Sequence, residues 1–251
     1  MIETFFKTFL PFPLQIHYND FMNSKFDALT IHPIAYIETD FPTKFGIPRQ
    51  ADIVSSLQGR IIFEKEYNKE GILRGLEEFS HLWLIWGFSE NETTEFSPTI
   101  RPPKLGGNQR VGVFASRSPN RPNPLGISVV KIEKILPNND ILVSGVDMVS
   151  HTPIYDIKPY IPYSDSITEA TSGYAKDSSS IHLSVTYSEG VLKDFPLNKV
   201  DLLTKILSQD PRPGFHHDNE RIYGFQFLDF EIKFQVYNDK ELLVKQIEKV
   251  K

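Results

Sequence analysis

Two arginines and two asparagines share a short stretch with three prolines in "FASRSPNRPNPLGIS", Phe114 to Ser128. The guanidinium groups of Arg117 and Arg121 are planar forks that suit a carboxylate or a phosphate. Pro119, Pro122 and Pro124 remove backbone freedom before any ligand arrives, so side chains on this loop are ordered at little entropic cost on binding. The preceding "RPPKLGGNQR" adds Arg101, Lys104 and Arg110, two prolines that enforce an extended chain, and two glycines that allow close backbone approach. This chemistry is anion binding. The whole chain carries −5, yet Arg101 to Lys134 holds seven Lys/Arg against Glu133 alone. That segment is +6 and leaves −11 on the rest. A local basic patch can dock a polyanion whatever the net charge. The competing reading is a solvated loop whose arginines cap carbonyls and pair with nearby acids.

Generic catalytic signatures are missing. No GxGxxG follows a strand, and there is no GxxxxGK[ST], HExxH or nucleophile elbow. "HHD" at His216 to Asp218 offers three adjacent potential ligands, but neighbouring residues rarely hold one ion, and no metal is expected. His81 heads an apolar run and reads as a satisfied core histidine. The absence of cysteine removes disulfides, thiolate zinc sites and cysteine nucleophiles. No apolar run approaches the roughly 18 residues of a membrane helix. The N-terminus lacks the parts of a signal peptide, so the cytoplasm is the expected compartment.

Short apolar or alternating runs bounded by Gly, Pro, Asn and Asp must position these residues. His32–Glu38, Gly59–Glu64, His81–Phe88, Arg110–Ala115, Ile127–Ile135 and Ile141–Val149 read as strands. "HLWLIWGF" is apolar throughout and reads as buried on both faces. Gly71–Ser80 holds a helical turn or two. Without helices between the strands, a parallel α/β sheet is excluded, and a mainly β, antiparallel barrel or sandwich is expected. After the polar "GYAKDSSSIH" the pattern changes. Asn198–Gln209 has helical spacing with Asn198 as N-cap, followed by strand-like "RIYGFQF", "FEIKFQVY" and "ELLVKQI". The expected organisation is an N-terminal extension (1–30), a β-barrel domain (31–185) and a small C-terminal α+β domain (186–251).

"KFGIPRQ" (Lys44–Gln50), "LRGLEEFSHLWLIW" (Leu73–Trp86), the long proline-arginine segment Arg101–Ser128, "DIKPYIPYSDS" (Asp156–Ser166) and "DPRPGF" (Asp210–Phe215) occur in this order. Together they resemble the TsaA-like, TrmO-type family of tRNA methyltransferases, strongly from Ile31 to Glu169 and more thinly beyond. The resemblance implies an antiparallel single-sheet β-barrel that binds S-adenosyl-L-methionine, usually as a homodimer. It implies methylation of N6 of threonylcarbamoyladenosine at position 37, next to the anticodon of threonine tRNA. It places the cofactor at Pro48, Arg49 and Gln50, at Ser89 and Glu90, at Arg117 and Asn120, and at Asp147, Met148, Val149 and Ser150. This last stretch reads "DMVS" where the family has "DLVD", so its second acid is lost.

Arg49 or Arg117 can meet the cofactor's carboxylate, Asp147 its ribose hydroxyls, and Met148 and Phe88 its adenine. Lys104, Arg110, Arg121, Lys158 and Arg212 are the RNA-contact candidates, with domain packing as the other role for Arg212 and an ion pair with Asp156 as the other role for Lys158. The proton acceptor stays open among Tyr155, Asp156, Tyr160 and water. The alternative function is a non-catalytic RNA- or nucleotide-binding barrel. A third class, a hydrolase built on Asp156 or His81, lacks a nucleophile–base pair.

Overall fold

The structure, a computed structural model, describes residues 29–91, 96–102, 109–175, 182–212 and 218–250. The expected N-terminal extension falls outside them except for Leu29 and Thr30. Lys104, Phe215 and the histidines of "HHD" also lie outside the described residues.

Six antiparallel strands close a barrel: β1 (Ala35–Thr39), β2 (Gln58–Phe63), β3 (His81–Gly87), β6 (Leu125–Ile135), β7 (Ile141–Ser144) and β8 (Thr152–Pro159). Their order around the barrel is β1-β2-β7-β6-β3-β8, and β8 returns to β1 through Ala35 opposite Ile154. Alternation along each strand sends Ile37, Ile61, Leu82, Leu84, Val130, Val143 and Ile154 into the core. β4 (Thr99–Ile100) and β5 (Val111–Gly112) form a small separate ribbon.

Several elements depart from expectation. β3 is buried on one face only: its inward residues are buried, while His81, Trp83 and Ile85 are half-buried outside. A closed barrel gives every strand an outer face, and aromatic and branched side chains tolerate a partly wet one. His81 is therefore no core histidine. It pairs with the Ser80 hydroxyl at 2.8 Å and meets Tyr160 edge-on. Arg110–Ala115 is not one strand: β5 stops at Gly112, and a 3-10 turn follows at Val113–Ala115. β7 ends at Ser144 because Gly145 takes φ of +80°, which turns the chain out of the sheet. Leu76–Glu78 is a single 3-10 turn.

β8 contains a bulge. Ile85 pairs with Asp156 but Trp86 pairs with Ile154, so Tyr155 is the extra residue. Bulges of this kind re-aim one side chain beside a site. A short helix, α1 (Pro162–Asp165), follows β8, and its Asp165 accepts the Trp83 indole N–H at 2.8 Å.

The C-terminal part is a four-stranded sheet with one helix. β9 (Ser184–Tyr187) lies parallel to β12 (Glu241–Lys249), with β10 (Ile222–Phe227) and β11 (Phe230–Tyr237) beyond. Helix α2 (Val200–Ser208) buries Leu202, Leu203, Ile206 and Leu207. Its N-terminus is a 3-10 turn over Leu197–Lys199 with no side-chain cap, so Asn198 is not the N-cap. This part joins the barrel around residues 40–49. Phe41 meets Phe227 at 5.4 Å between ring centres, Lys199 pairs with Asp40 at 2.7 Å, and Leu228 N–H donates to the Asp40 carbonyl.

Candidate cofactor site

A cleft of about 290 Å³ opens where β3 ends and β8 begins. Its apolar walls are Ile47, Trp86, Phe88, Met148 and Val149; Lys44, Ser89, Glu90 and Asp147 supply polar atoms. The size is near the lower end for small-molecule clefts, and the mix of apolar lining with a few polar groups is their usual chemistry.

Asp147 is the centre of the cleft's electrostatics. Burial pushes its carboxyl from the ordinary 3.8 up to about 6, against the pull of hydrogen bonds from Ser128, the Ala51 backbone and its own backbone, and of the Arg117 charge. The Ser128 hydroxyl donates to Asp147 Oδ1 at 2.7 Å, and the Trp86 indole N–H donates to the same Ser128 oxygen at 3.0 Å. Three chain segments thus converge on one carboxylate: β6 through Ser128, the Pro48–Ala51 loop, and the turn after β7. Asp52, with φ of +62°, donates its N–H to the Gly145 carbonyl and ties that loop to the turn.

The remaining expected residues divide. Pro48, Ser89, Glu90, Met148 and Val149 line the cleft with Asp147. Arg117 is exposed on the rim, and its guanidinium donates to the Gln50 side-chain oxygen, which joins the proline loop to the "PRQ" segment. Pro119 lines the cleft, and the Asn91 side chain donates to its carbonyl at 3.3 Å. Asn120 is an exposed rim residue whose N–H reaches the Ser118 hydroxyl. Arg49 does not line the cleft. It turns to the C-terminal part and donates to the Arg212 carbonyl at 3.3 Å. Ser150 does not line it either: its hydroxyl accepts the Thr39 N–H, and its own N–H donates to the Phe41 carbonyl.

Of the proton-acceptor candidates, Tyr155 lies against the cleft wall. A Cβ on the cleft-lining Gly87 would sit 2.7 Å from its ring. Asp156 forms an exposed ion pair with Lys158 at 2.8 Å and accepts the Ile157 N–H, which leaves both outside the cleft. Tyr160 lies just past the end of β8, donates its N–H to the His81 carbonyl at 3.0 Å and packs on Trp83 and His81, at the opposite end of β3 from Gly87.

Among the RNA candidates, Arg121 is half-buried on the rim and bonds the Ser116 carbonyl, and Arg110 is exposed and bonds Thr99. Arg212 takes the packing alternative. It is 4% exposed and locked to Asp210 and Asp239 at 2.8 Å each, so it packs the C-terminal part and cannot reach a phosphate. Among the described residues no cluster of His, Asp or Glu could hold a metal, and no helix is long and apolar enough to cross a membrane.

The sequence profile of the tRNA-methyltransferase O N-terminal domain matches residues 36–166, and that of the TrmO C-terminal domain matches residues 182–250. The chain belongs to the tRNA-methyltransferase O family. The tRNA (adenine(37)-N6)-methyltransferase of Escherichia coli K12 is 36% identical over 214 residues, 81% of this chain and 91% of that protein. A Pseudomonas aeruginosa PAO1 relative is 34% identical over 211 residues, 81% of this chain and 90% of its own. Its name places it, provisionally, among S-adenosylmethionine-dependent methyltransferases. The crystal structure of TrmO from Pseudomonas aeruginosa aligns with a TM-score of 0.71 at 28% identity, covering 88% of this chain and 100% of that one. The β-barrel that the resemblance implies and the small C-terminal α+β part expected from the sequence pattern are both observed.

Reasoning from the sequence missed Lys44, Trp86, Asn91, Thr152 and, behind the wall, Ser128. Ser128 had a signal. The outward alternation of Lys131 and Glu133 on β6, run backward, puts a hydroxyl at an inward position. Inward hydroxyls need a partner.

Proposed function

We propose that the protein is an S-adenosyl-L-methionine-dependent methyltransferase acting on N6 of threonylcarbamoyladenosine 37 in tRNA, threonine tRNA foremost. The observation that carries this reading is the enclosed Asp147 carboxylate at the edge of an apolar cleft. It is the arrangement that a nucleoside needs: an acceptor for ribose hydroxyls beside a slot for a flat base.

Within that cleft Asp147 holds the ribose, and Trp86, Phe88 and Met148 enclose the adenine. Arg117, braced by Gln50, meets the amino-acid carboxylate. Arg49 is committed to the Arg212 carbonyl, which leaves the carboxylate to Arg117. S-adenosylmethionine, when bound, supplies a methyl group on an electrophilic sulfonium. The protein's own part is alignment and exclusion of water. Tyr155, the candidate that packs against the cleft wall, is assigned with water to the N6 proton. Arg110, Arg121 and Lys104 hold phosphates flanking a splayed loop base. Ser150, where the family pattern has an acid, stands away from the cleft, so that change does not favour a binding-only barrel. A homodimer in the cytoplasm, with domains at 1–30, 31–185 and 186–251, completes the proposal.

Calorimetric titration of S-adenosylmethionine into wild type and Arg117→Ala tests it. Micromolar-range affinity that weakens roughly tenfold or more in the variant is expected, as for loss of a charge-assisted hydrogen bond. Labelled methyl transfer to tRNA with and without the threonylcarbamoyl group then tests the substrate. Cofactor binding without transfer to either tRNA would leave the binding-only barrel.

A further inference from the structure

The cleft carboxylate is wired into the barrel interior. Ser128 sits at 2% exposure on the inward face of β6, and Trp86 at 8% on the inward face of β3. An indole N–H can only donate. Trp86 therefore fixes the Ser128 oxygen as acceptor at 3.0 Å, and the single hydroxyl hydrogen is left to point at Asp147 Oδ1, 2.7 Å away. The indole has no room to turn. A Cβ on Gly126 would lie 2.3 Å from its ring, and Phe88 packs edge-on at 4.5 Å. The direction of the whole chain, Trp86 to Ser128 to Asp147, is set by one donor that cannot reverse.

We propose that Ser128 is a positioning residue, which through this relay orients the cleft carboxylate, favours its charged form and sets the pH below which ligand binding there weakens. The proposal rests on the reading that Asp147 engages the bound cofactor. Of the other charged groups nearby, Arg117 from the proline loop acts on the same carboxylate, Lys44 and Glu90 line the same cleft, and Asp52 lies beside Gly145, two residues before Asp147. None of them is in the barrel wall. Removal of the Ser128 donor leaves the carboxylate with only the backbone donors and the more distant Arg117, so its charged form is less favoured.

The test separates the relay from the cofactor reading. Carbon-detected NMR titration of the Asp147 carboxyl, assigned by its loss in Asp147→Asn, reads the relay in the free protein. Ser128→Ala is expected to raise the Asp147 midpoint by about one pH unit, and Ser128→Thr, which keeps the hydroxyl, to restore it. Calorimetry of S-adenosylmethionine from pH 5 to 8 is expected to show affinity falling up to tenfold per unit below the wild-type midpoint. That fall should move upward in Ser128→Ala and vanish in Asp147→Asn. A Ser128→Ala midpoint equal to wild type overturns the proposal, because a merely structural serine would change stability and not titration. Should Ser128→Ala fail to fold, Trp86→Phe takes its place: without the indole donor the hydroxyl hydrogen is no longer directed, and an unmoved midpoint again overturns the relay. A shifted midpoint in a protein that binds no S-adenosylmethionine upholds the wiring and rejects the cofactor reading.

Discussion

Asp147 shows how one side chain trades stability for binding. Its carboxyl is raised to about 6 in the folded protein and is near 3.8 when exposed. Below pH 3.8 it is neutral in both states, so its effect on folding is then most favourable. As pH rises through 6 the folded protein must carry an enclosed anion, and that stability is lost. Asp147→Asn removes the titration. It is expected to unfold at higher denaturant than wild type at pH 7.5, by about 1–3 kcal/mol, and to show no such gain at pH 4. Chemical denaturation at the two pH values checks this, and an equal difference at both would place the effect elsewhere. Tyr155→Phe is expected to lower kcat by roughly a hundredfold with little change in KM for tRNA, whereas Tyr160→Phe leaves both unchanged. Steady-state methyl transfer separates them.

The elements matter through what they press together. β3 and β6 meet at Trp86 opposite Gly126, where the indole occupies the space of the missing side chain. Gly126→Ala is expected to cost about 1–3 kcal/mol by overpacking and to disturb Trp86 fluorescence, because the nearest neighbour is a buried ring. A variant as stable as wild type, with unchanged fluorescence, would mean that the strands slide apart there. The bulge in β8 has a similar local effect. Without it, strand alternation would carry Tyr155 and Asp156 to opposite faces of a regular ladder; with it, Tyr155 is turned onto Gly87.

At the scale of the molecule, charge and domain packing separate. Of the basic stretch, Arg101, Arg110, Arg117 and Arg121 lie on loop segments, whereas Lys131 and Lys134 stand on β6, where Lys131 pairs with Glu133 at 3.0 Å. Arg121→Ala and Lys104→Ala are each expected to lower the salt slope of tRNA binding by about one, without changing cofactor affinity. Unchanged slopes would place the RNA on another face. Arg212→Ala has the opposite profile. It breaks a buried pairing with Asp210 and Asp239 and is expected to cost about 3–5 kcal/mol in thermal or denaturant unfolding, with the salt slope intact.

Local pattern alone determined five of the six barrel strands, the helix and three of the four strands of the C-terminal part; β8, rich in proline and mixed in polarity, was not among them. Period-two alternation and turn residues act over a few positions and can be read one segment at a time. The long ordered motifs pointed to the family and, through it, to Pro48, Ser89, Glu90, Asp147, Met148 and Val149, which do line the cleft. Only the tertiary structure decided the rest. Arg49 and Arg212 look alike as cations in sequence, but one is drawn to a carbonyl across the domain contact and the other is enclosed by two carboxylates. Asp156 and Tyr160 follow Tyr155 closely in the chain, yet Asp156 turns outward to an exposed ion pair with Lys158 and Tyr160 packs on His81 and Trp83 at the other end of β3. The relay from Trp86 through Ser128 to Asp147 joins β3, β6 and the turn after β7, and hydrogen bonds between segments so far apart in the chain exist only once the barrel closes.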